Sequence, residues 1–75
     1  KGEYEMNLNQ INYFLAICKT MNFTKAAHNL YISQTAVTKQ IQLLETELGT
    51  KLFNRNNKQI ELTEAGRFFL IESKK

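Results

Sequence analysis

Residues 31–53 have the sequence YISQTAVTKQIQLLETELGTKLF, which predicts one long and regular helix. Ser33 is a residue type that favours the N-cap, and Gly49 can adopt the left-handed conformation that ends many helices. Apolar residues follow at the spacing of a single helical face. This stripe consists of Val37, Ile41, Leu44 and Leu48. We therefore expect one face of the helix to pack against a core.

A second arc of the same predicted helix carries uncharged polar side chains and a lysine. It consists of Gln34, Thr35, Thr38, Lys39 and Gln42. A surface kept only for solubility usually carries charges of both signs, paired four residues apart. Amides and hydroxyls instead donate and accept hydrogen bonds together, as the edges of base pairs in a DNA major groove require. The arc therefore favours contact with bases, with a merely neutral polar surface as the alternative.

Two shorter helices are predicted before this one. Residues 8–20 place an apolar stripe on one helical face, formed by Ile11, Phe14, Leu15 and Cys18. A second helix is expected from about residue 24 to residue 31, with Ala26, Ala27 and Leu30 facing inward. Small alanine side chains allow another helix to cross closely. Two helices joined by a tight turn can bring the start of the second one into a major groove.

The residues after Gly49 change from helical spacing towards alternation, which indicates a β-hairpin. The segments KLFNR and QIELT flank NNK, and asparagine tolerates the backbone of a tight turn. Arg55 and Lys58 lie around this tip, where a basic wing can contact phosphates or a minor groove. Thr63 is a suitable N-cap for a final helix. The predicted fold is a winged helix-turn-helix, mainly α, with three helices, a hairpin wing and a final helix.

Charge is distributed unevenly along the chain, whose formal net charge is +3. No acidic side chain occurs from Met6 through Leu44, although Lys19, Lys25 and Lys39 lie there. Such an asymmetry suits a polyanionic partner such as nucleic acid. The alternative is a solvated surface that happens to lack acids.

The residue content argues against catalysis and against a bound metal. With one cysteine, one histidine and no aspartate, the chain cannot assemble a Ser-His-Asp triad, which nearly excludes a small hydrolase. Cys18 is expected to be a core residue, and His28 has no second ligand at metal-binding spacing. We expect no enzyme activity, no metal and no cofactor. The lone cysteine favours a reducing, cytoplasmic setting, and the apolar runs are far too short for a membrane span.

Three motifs carry a resemblance to a known family. They are NFTKAAHNL at residues 22–30, ISQTAVTKQIQLLETELGTKLFNR at residues 32–55 and LTEAG at residues 62–66. With these motifs in order, over about residues 8–70, the chain resembles the N-terminal DNA-binding domain of LysR-type transcriptional regulators. The resemblance implies a winged helix-turn-helix that binds double-stranded promoter DNA as a homodimer. It also implies a long linker helix, a larger domain that binds a small-molecule effector, and higher oligomers of the full-length protein.

The resemblance assigns DNA contacts to individual residues of this chain. Thr24 corresponds to a phosphate-contacting hydroxyl, and Arg55 corresponds to the arginine of the wing. Thr35 stands where proline or serine is common, and Lys58 replaces a frequent arginine, which weakens any bidentate contact by the wing. Together with the polar arc, the predicted DNA-binding residues are Thr24, Ser33, Gln34, Thr35, Thr38, Lys39, Gln42, Arg55 and Lys58.

The final helix predicts a dimer interface. Phe68, Phe69, Leu70 and Ile71 follow one another, so they point to nearly all sides of the helix axis. One side can pack on Ile11 and Phe14 of the first helix, while exposed apolar surface on the other side usually marks an interface. The resemblance supplies the partner, which is the same helix of a second subunit. The residues expected in this interface are Phe68, Phe69 and Ile71.

The expected organisation has three parts. Residues 1–5 precede a native start at Met6 and are expected to derive from the expression vector. Residues 6–62 form the DNA-binding domain, and residues 63–75 begin the linker helix. On the resemblance, the effector-binding domain lies outside this chain. A winged-helix module that contacts proteins rather than DNA stays open as the alternative.

Overall fold

The computed structural model describes residues 8–56 and 59–74, and within them the elements follow the predicted order. The helices are α1 (Leu8–Thr20), α2 (Phe23–Leu30), α3 (Gln34–Leu48) and α4 (Glu64–Ser73), and the strands are β1 (Phe53–Asn56) and β2 (Gln59–Leu62). The first three helices pack on one another, and α4 packs beside β2. The fold is a winged helix-turn-helix, mainly α, as predicted. Met6 and the residues before it lie outside the described part.

Side-chain caps explain where the helices begin. Asn22, Ser33 and Thr63 each accept a hydrogen bond from the backbone N–H three residues further on, at 2.9, 3.1 and 2.9 Å. The caps predicted at Ser33 and Thr63 are confirmed, while Asn22 starts α2 slightly earlier than expected. Gly49 ends α3 with φ of 75°, in the predicted left-handed conformation. Tyr31 ends α2 with φ of 61°, so residues 31–33 alone form the turn between α2 and α3.

The core lies where the first three helices meet. Its largest fully buried side chains are Phe14, Ile17, Val37, Ile41, Leu44 and Leu52. A row of phenylalanine rings extends the core: Phe14 contacts Phe53 and Phe69 at centroid distances of 5.4 and 5.0 Å. Phe53 in turn contacts Phe23 at 5.6 Å. This aromatic row joins α4, α1, the wing and α2 into one unit.

The buried face of α1 differs from the predicted stripe. Of that stripe only Phe14 is buried, whereas Ile11, Leu15 and Cys18 are half-buried. Ile17 is buried instead, together with Gln10, whose Nε2 donates a hydrogen bond to Gln40 Oε1 at 3.2 Å. The buried face of α1 is shifted from the predicted one because α1 packs against both α2 and α3, and Phe14 also contacts α4.

The predicted stripe on α3 is mostly confirmed. Val37, Ile41 and Leu44 are buried. The prediction is wrong for Leu48, which is 36% exposed because it is the last residue of the helix, where the chain turns away at Gly49.

The wing is a two-stranded antiparallel hairpin fastened to α3. Its register pairs Phe53 with Leu62 and Arg55 with Ile60. Ile60 and Leu62 are half-buried and Glu61 is exposed, as the alternation predicted. The base of the wing is held by the carboxylate of Glu45 in α3. Its Oε2 accepts hydrogen bonds from the backbone N–H groups of Leu52 and Phe53, at 2.8 and 3.3 Å.

The start of α4 is held against the start of the wing. The Thr63 N–H donates to the Leu52 carbonyl at 3.0 Å, and the Thr63 hydroxyl donates to the Lys51 carbonyl at 2.7 Å. Gly66 makes this approach possible, since a Cβ there would lie 2.2 Å from the Leu52 carbonyl oxygen. The LTEAG motif therefore has a packing role, which is to bring α4 close to the base of the wing.

Candidate nucleic-acid interface

The beginning of α3 presents the predicted polar arc at the surface. Gln34, Thr35, Lys39 and Gln42 are exposed, and Thr38 is half-buried beside the core. Ser33 is also exposed, but its oxygen is engaged as the cap of α3, so its first role is to hold the start of that helix in place. The arc begins at the end of α3 that follows the tight turn, and four of its five residues are exposed.

The structure brings this arc together with the wing. One open groove, of about 540 Å³, has side chains from both elements along its walls. Its lining residues are Gln34, Thr35, Thr38, Lys39, Gln42 and Arg55. Amide, hydroxyl, ammonium and guanidinium groups therefore face one continuous space. Of the remaining predicted site residues, Lys58 lies outside the described part of the chain.

A hydrogen bond links two predicted site residues on different helices. The Thr24 hydroxyl, in the first turn of α2, donates to Gln34 Oε1 at 3.0 Å. Gln34 is the first residue of α3, so the bond ties the start of one helix to the start of the next. The sequence assigned both residues to the site but contained no sign of their contact.

The wing arginine rests on an aromatic ring that sequence reasoning missed. The guanidinium carbon of Arg55 lies 4.2 Å from the centroid of the Phe23 ring, a cation–π geometry. Phe23 is only 7% exposed and its ring also contacts that of Phe53, so packing holds the ring beneath Arg55 in place. Phe23 lies in the NFTKAAHNL motif, but no feature of the sequence indicates that it contacts Arg55, a strand residue more than thirty positions later.

Among the described residues, the groove is lined by two cationic side chains, Lys39 and Arg55, and by no carboxylate. Lys25 and Lys39 are exposed, and the described parts of α1 and α2 contain no acidic residue. The nearest carboxylate on α3 is Glu45, which is occupied by the two backbone N–H groups of the wing. An anion approaching the arc therefore meets positive charge first.

The groups considered for catalysis or metal binding do not gather into a site. Burial raises the pKa of the Cys18 thiol to about 11, with Lys74 acting in the opposite direction, so the thiol stays protonated at neutral pH. His28 is exposed near the end of α2. Among the described residues, no three His, Cys, Asp or Glu side chains are arranged to hold a metal. No helix within residues 8–56 and 59–74 is both long and apolar enough to cross a membrane.

The predicted interface residues on α4 are placed differently from one another. Phe68 and Ile71 are 65% and 60% exposed, as an interface requires. Phe69 instead packs edge-on against Phe14 inside the same chain, and it is half-buried. The ring of Phe69 therefore fastens α4 to the core of its own chain, and its contact with a second subunit stays a prediction. The predicted packing of α4 on Phe14 is confirmed.

Comparison with known proteins identifies the family. The family described as bacterial regulatory helix-turn-helix protein, lysR family, matches residues 8–67. The chain belongs to this family, which confirms the resemblance to LysR-type regulators. It is 47% identical to the HTH-type transcriptional regulator BudR of Raoultella terrigena, covering 91% of this chain and 23% of BudR. It is 48% identical to the probable cat1 operon transcriptional activator of Acinetobacter lwoffii, over 91% of this chain and 22% of that protein.

Solved structures show the same fold. A LysR-family regulator from Eggerthella lenta superposes with a TM-score of 0.88 at 38% identity, covering 92% of this chain and 99% of that one. The BenM DNA-binding domain in its complex with catB site 1 DNA gives 0.85 at 39% identity, over 89% and 75% of the two chains. This chain spans under a quarter of the length of BudR and of the cat1 activator.

Proposed function

We propose that this domain binds specific sequences of double-stranded DNA as the N-terminal part of a LysR-type transcriptional regulator. The observation that carries the proposal is the groove in which the polar arc of α3 and Arg55 of the wing face one space. α3 enters the major groove with its first turns, and the wing lies on the backbone or in the adjacent minor groove. The likeness to the BenM domain, described in a complex with DNA, supports this docking.

Different side chains are proposed to contact the bases and the phosphates. Gln34, Thr35 and Lys39 carry the donors and acceptors that distinguish base pairs in a major groove. Arg55 in the groove and Lys25, exposed on α2, supply positive charge for phosphates, which sets affinity and register rather than sequence. Both contributions are needed because phosphate contacts alone bind all sequences alike.

A module that binds a protein instead of DNA is the second candidate. Such a surface would carry apolar anchors with a polar rim. The arc on α3 offers neutral polar groups and a lysine, and the large apolar side chains exposed on α4 lie on another element. The composition of the groove therefore favours DNA.

Selection from a random pool of duplexes, followed by titration of single variants, tests the proposal. Gln34→Ala should weaken binding to the selected duplex by about 1–3 kcal/mol and binding to a random duplex much less, as expected for a bidentate base contact. Asn12→Ala removes another exposed amide, from α1, and is the matched control, which should bind like wild type. A pool that returns no enriched sequence would reject specific DNA binding.

The whole protein is proposed to act as a cytoplasmic homodimer, and as a higher oligomer through its other parts. α4 begins the linker helix, and Phe68 and Ile71 contact the same helix of a second subunit. A small-molecule effector binds a C-terminal domain outside this chain. Two recognition helices then meet half-sites about one helical turn, or a multiple of it, apart.

Sedimentation of a chain extended along the native linker sequence tests the dimer. The extended chain should be dimeric, and replacing Phe68 and Ile71 with serine should return it to a monomer. An extended chain that stays monomeric at high concentration would place the dimer contacts elsewhere.

A further inference from the structure

The Thr24 hydroxyl has a single proton, and the structure shows where it goes. It is donated to Gln34 Oε1 at 3.0 Å. A hydroxyl offers one donor, so Thr24 cannot donate to Gln34 and to a DNA phosphate at once. Both side chains are exposed, so the contact is not imposed by burial.

The bond also decides which part of the Gln34 amide is left for DNA. Its carbonyl oxygen is turned back towards α2, where it accepts from Thr24. The Nε2 group keeps its two N–H donors, and Gln34 is one of the residues that line the groove. Oε1 keeps a second lone pair, but it is held against Thr24, so a glutamine placed in this way offers its donors to the bases more readily than its oxygen.

Because guanine and adenine present different hydrogen-bonding groups in the major groove, the orientation of the Gln34 amide affects which base it prefers. Guanine presents two acceptors in the major groove, N7 and O6, which suit a group that only donates. Adenine presents an acceptor and a donor, so its bidentate contact with glutamine needs the oxygen as well as the nitrogen. Engagement of Oε1 by Thr24 therefore disfavours adenine relative to guanine.

We propose that Thr24 is a positioning residue that sets base specificity: its hydroxyl holds Gln34 as a hydrogen-bond donor and directs it to guanine. The assignment rests on the proposed DNA-binding function. It differs from the phosphate contact that family resemblance implies for Thr24, because the same proton serves a different acceptor.

The first test needs no DNA. Nitrogen-15 relaxation of the Gln34 side-chain amide should report a restrained group in the wild-type domain and a mobile one in Thr24→Val, which keeps the shape of threonine without its hydroxyl. Thr24→Ser keeps the donor and should keep the restraint. Equal mobility of the Gln34 amide in wild type and Thr24→Val would overturn the proposal.

The second test measures base preference. The base pair that Gln34 contacts is the one whose preference disappears in Gln34→Ala, and the wild-type chain should prefer guanine there. Thr24→Val should lower the guanine-to-adenine affinity ratio by roughly 2- to 10-fold, the worth of one net hydrogen bond. Thr24→Ser should retain the ratio, and Thr24→Val should change nothing in the Gln34→Ala background.

The alternatives give different results. A phosphate contact predicts that Thr24→Val weakens selected and random duplexes equally, and additively with Gln34→Ala, which would overturn the assignment. A wild-type preference for adenine at the Gln34 base pair would overturn it too. If the wild-type chain prefers no sequence at all, the proposed function itself fails. A preference that Thr24→Val leaves unchanged overturns only the role of Thr24.

Discussion

Replacing Gly66 with alanine tests how closely α4 is set against the wing. A Cβ at this position would lie 2.2 Å from the Leu52 carbonyl oxygen and 2.9 Å from Leu62 Cδ2. The oxygen is not free to move away, because it accepts a hydrogen bond from the Thr63 N–H at 3.0 Å. An ordinary carbon–oxygen contact is about 3.3 Å, so α4 has to shift by roughly 1 Å to relieve the overlap.

Two effects of opposite sign determine how much Gly66→Ala changes the free energy of unfolding. Alanine stabilises a helix interior by about 1 kcal/mol relative to glycine. Overpacking costs about 1–3 kcal/mol or somewhat more, and an overlap with the backbone belongs at the upper end of that range. The cost of steric overlap therefore exceeds the gain in helix propensity, with a net loss of about 1–2 kcal/mol in the free energy of unfolding. In a domain of this size that lowers the melting midpoint by roughly 5–15 °C.

Thermal and urea denaturation followed by circular dichroism measures the loss. Gly49→Ala is the matched control: nothing lies within 4 Å of its Cβ, so that change strains only the backbone at φ of 75°. The ring resonances of Phe69 should shift in Gly66→Ala, because α4 carries this ring against Phe14, and should stay in place in Gly49→Ala. If Gly66→Ala melts at or above the wild-type midpoint, the close approach of α4 to Leu52 is refuted.

Three further predictions concern the core, the wing and the thiol. Leu44→Ala should lower the free energy of unfolding by about 2–5 kcal/mol in urea titrations, because Leu44 is fully buried; an unchanged midpoint would contradict that burial. Phe23→Leu keeps an apolar side chain but removes the ring under Arg55, so DNA affinity should fall by about 0.5–2 kcal/mol in anisotropy titrations. Arg55→Ala should reduce the slope of log affinity against log salt by about 1, and the effect of Phe23→Leu should be smaller in that background. Burial raises the pKa of the Cys18 thiol to about 11, so its alkylation near pH 8 should be roughly a hundredfold slower than that of an exposed cysteine. The rate should increase as the pH rises towards 11. A rate equal to that of free cysteine would show the thiol to be exposed.

The order and type of the elements could be predicted from local signals. Ser33, Gly49 and Thr63 mark helix ends because a cap involves only neighbouring residues, and all three behave as expected. The spacing of Val37, Ile41 and Leu44 likewise depends only on the period of the helix. The polar arc follows from the same period, so most of the candidate surface was visible in the linear sequence.

Contacts between elements could not be predicted in this way. The buried arc of α1 turns towards Ile17 because several neighbours meet there, and Phe69 faces inward because Phe14 is available to it. The placement of Arg55 on Phe23 depends on how the wing folds back over α2. A periodic pattern fixes the angle of a side chain about its own helix axis but not which element stands opposite it. The element opposite a side chain is determined only when the helices pack, as the contact between Gln34 and Thr24 illustrates.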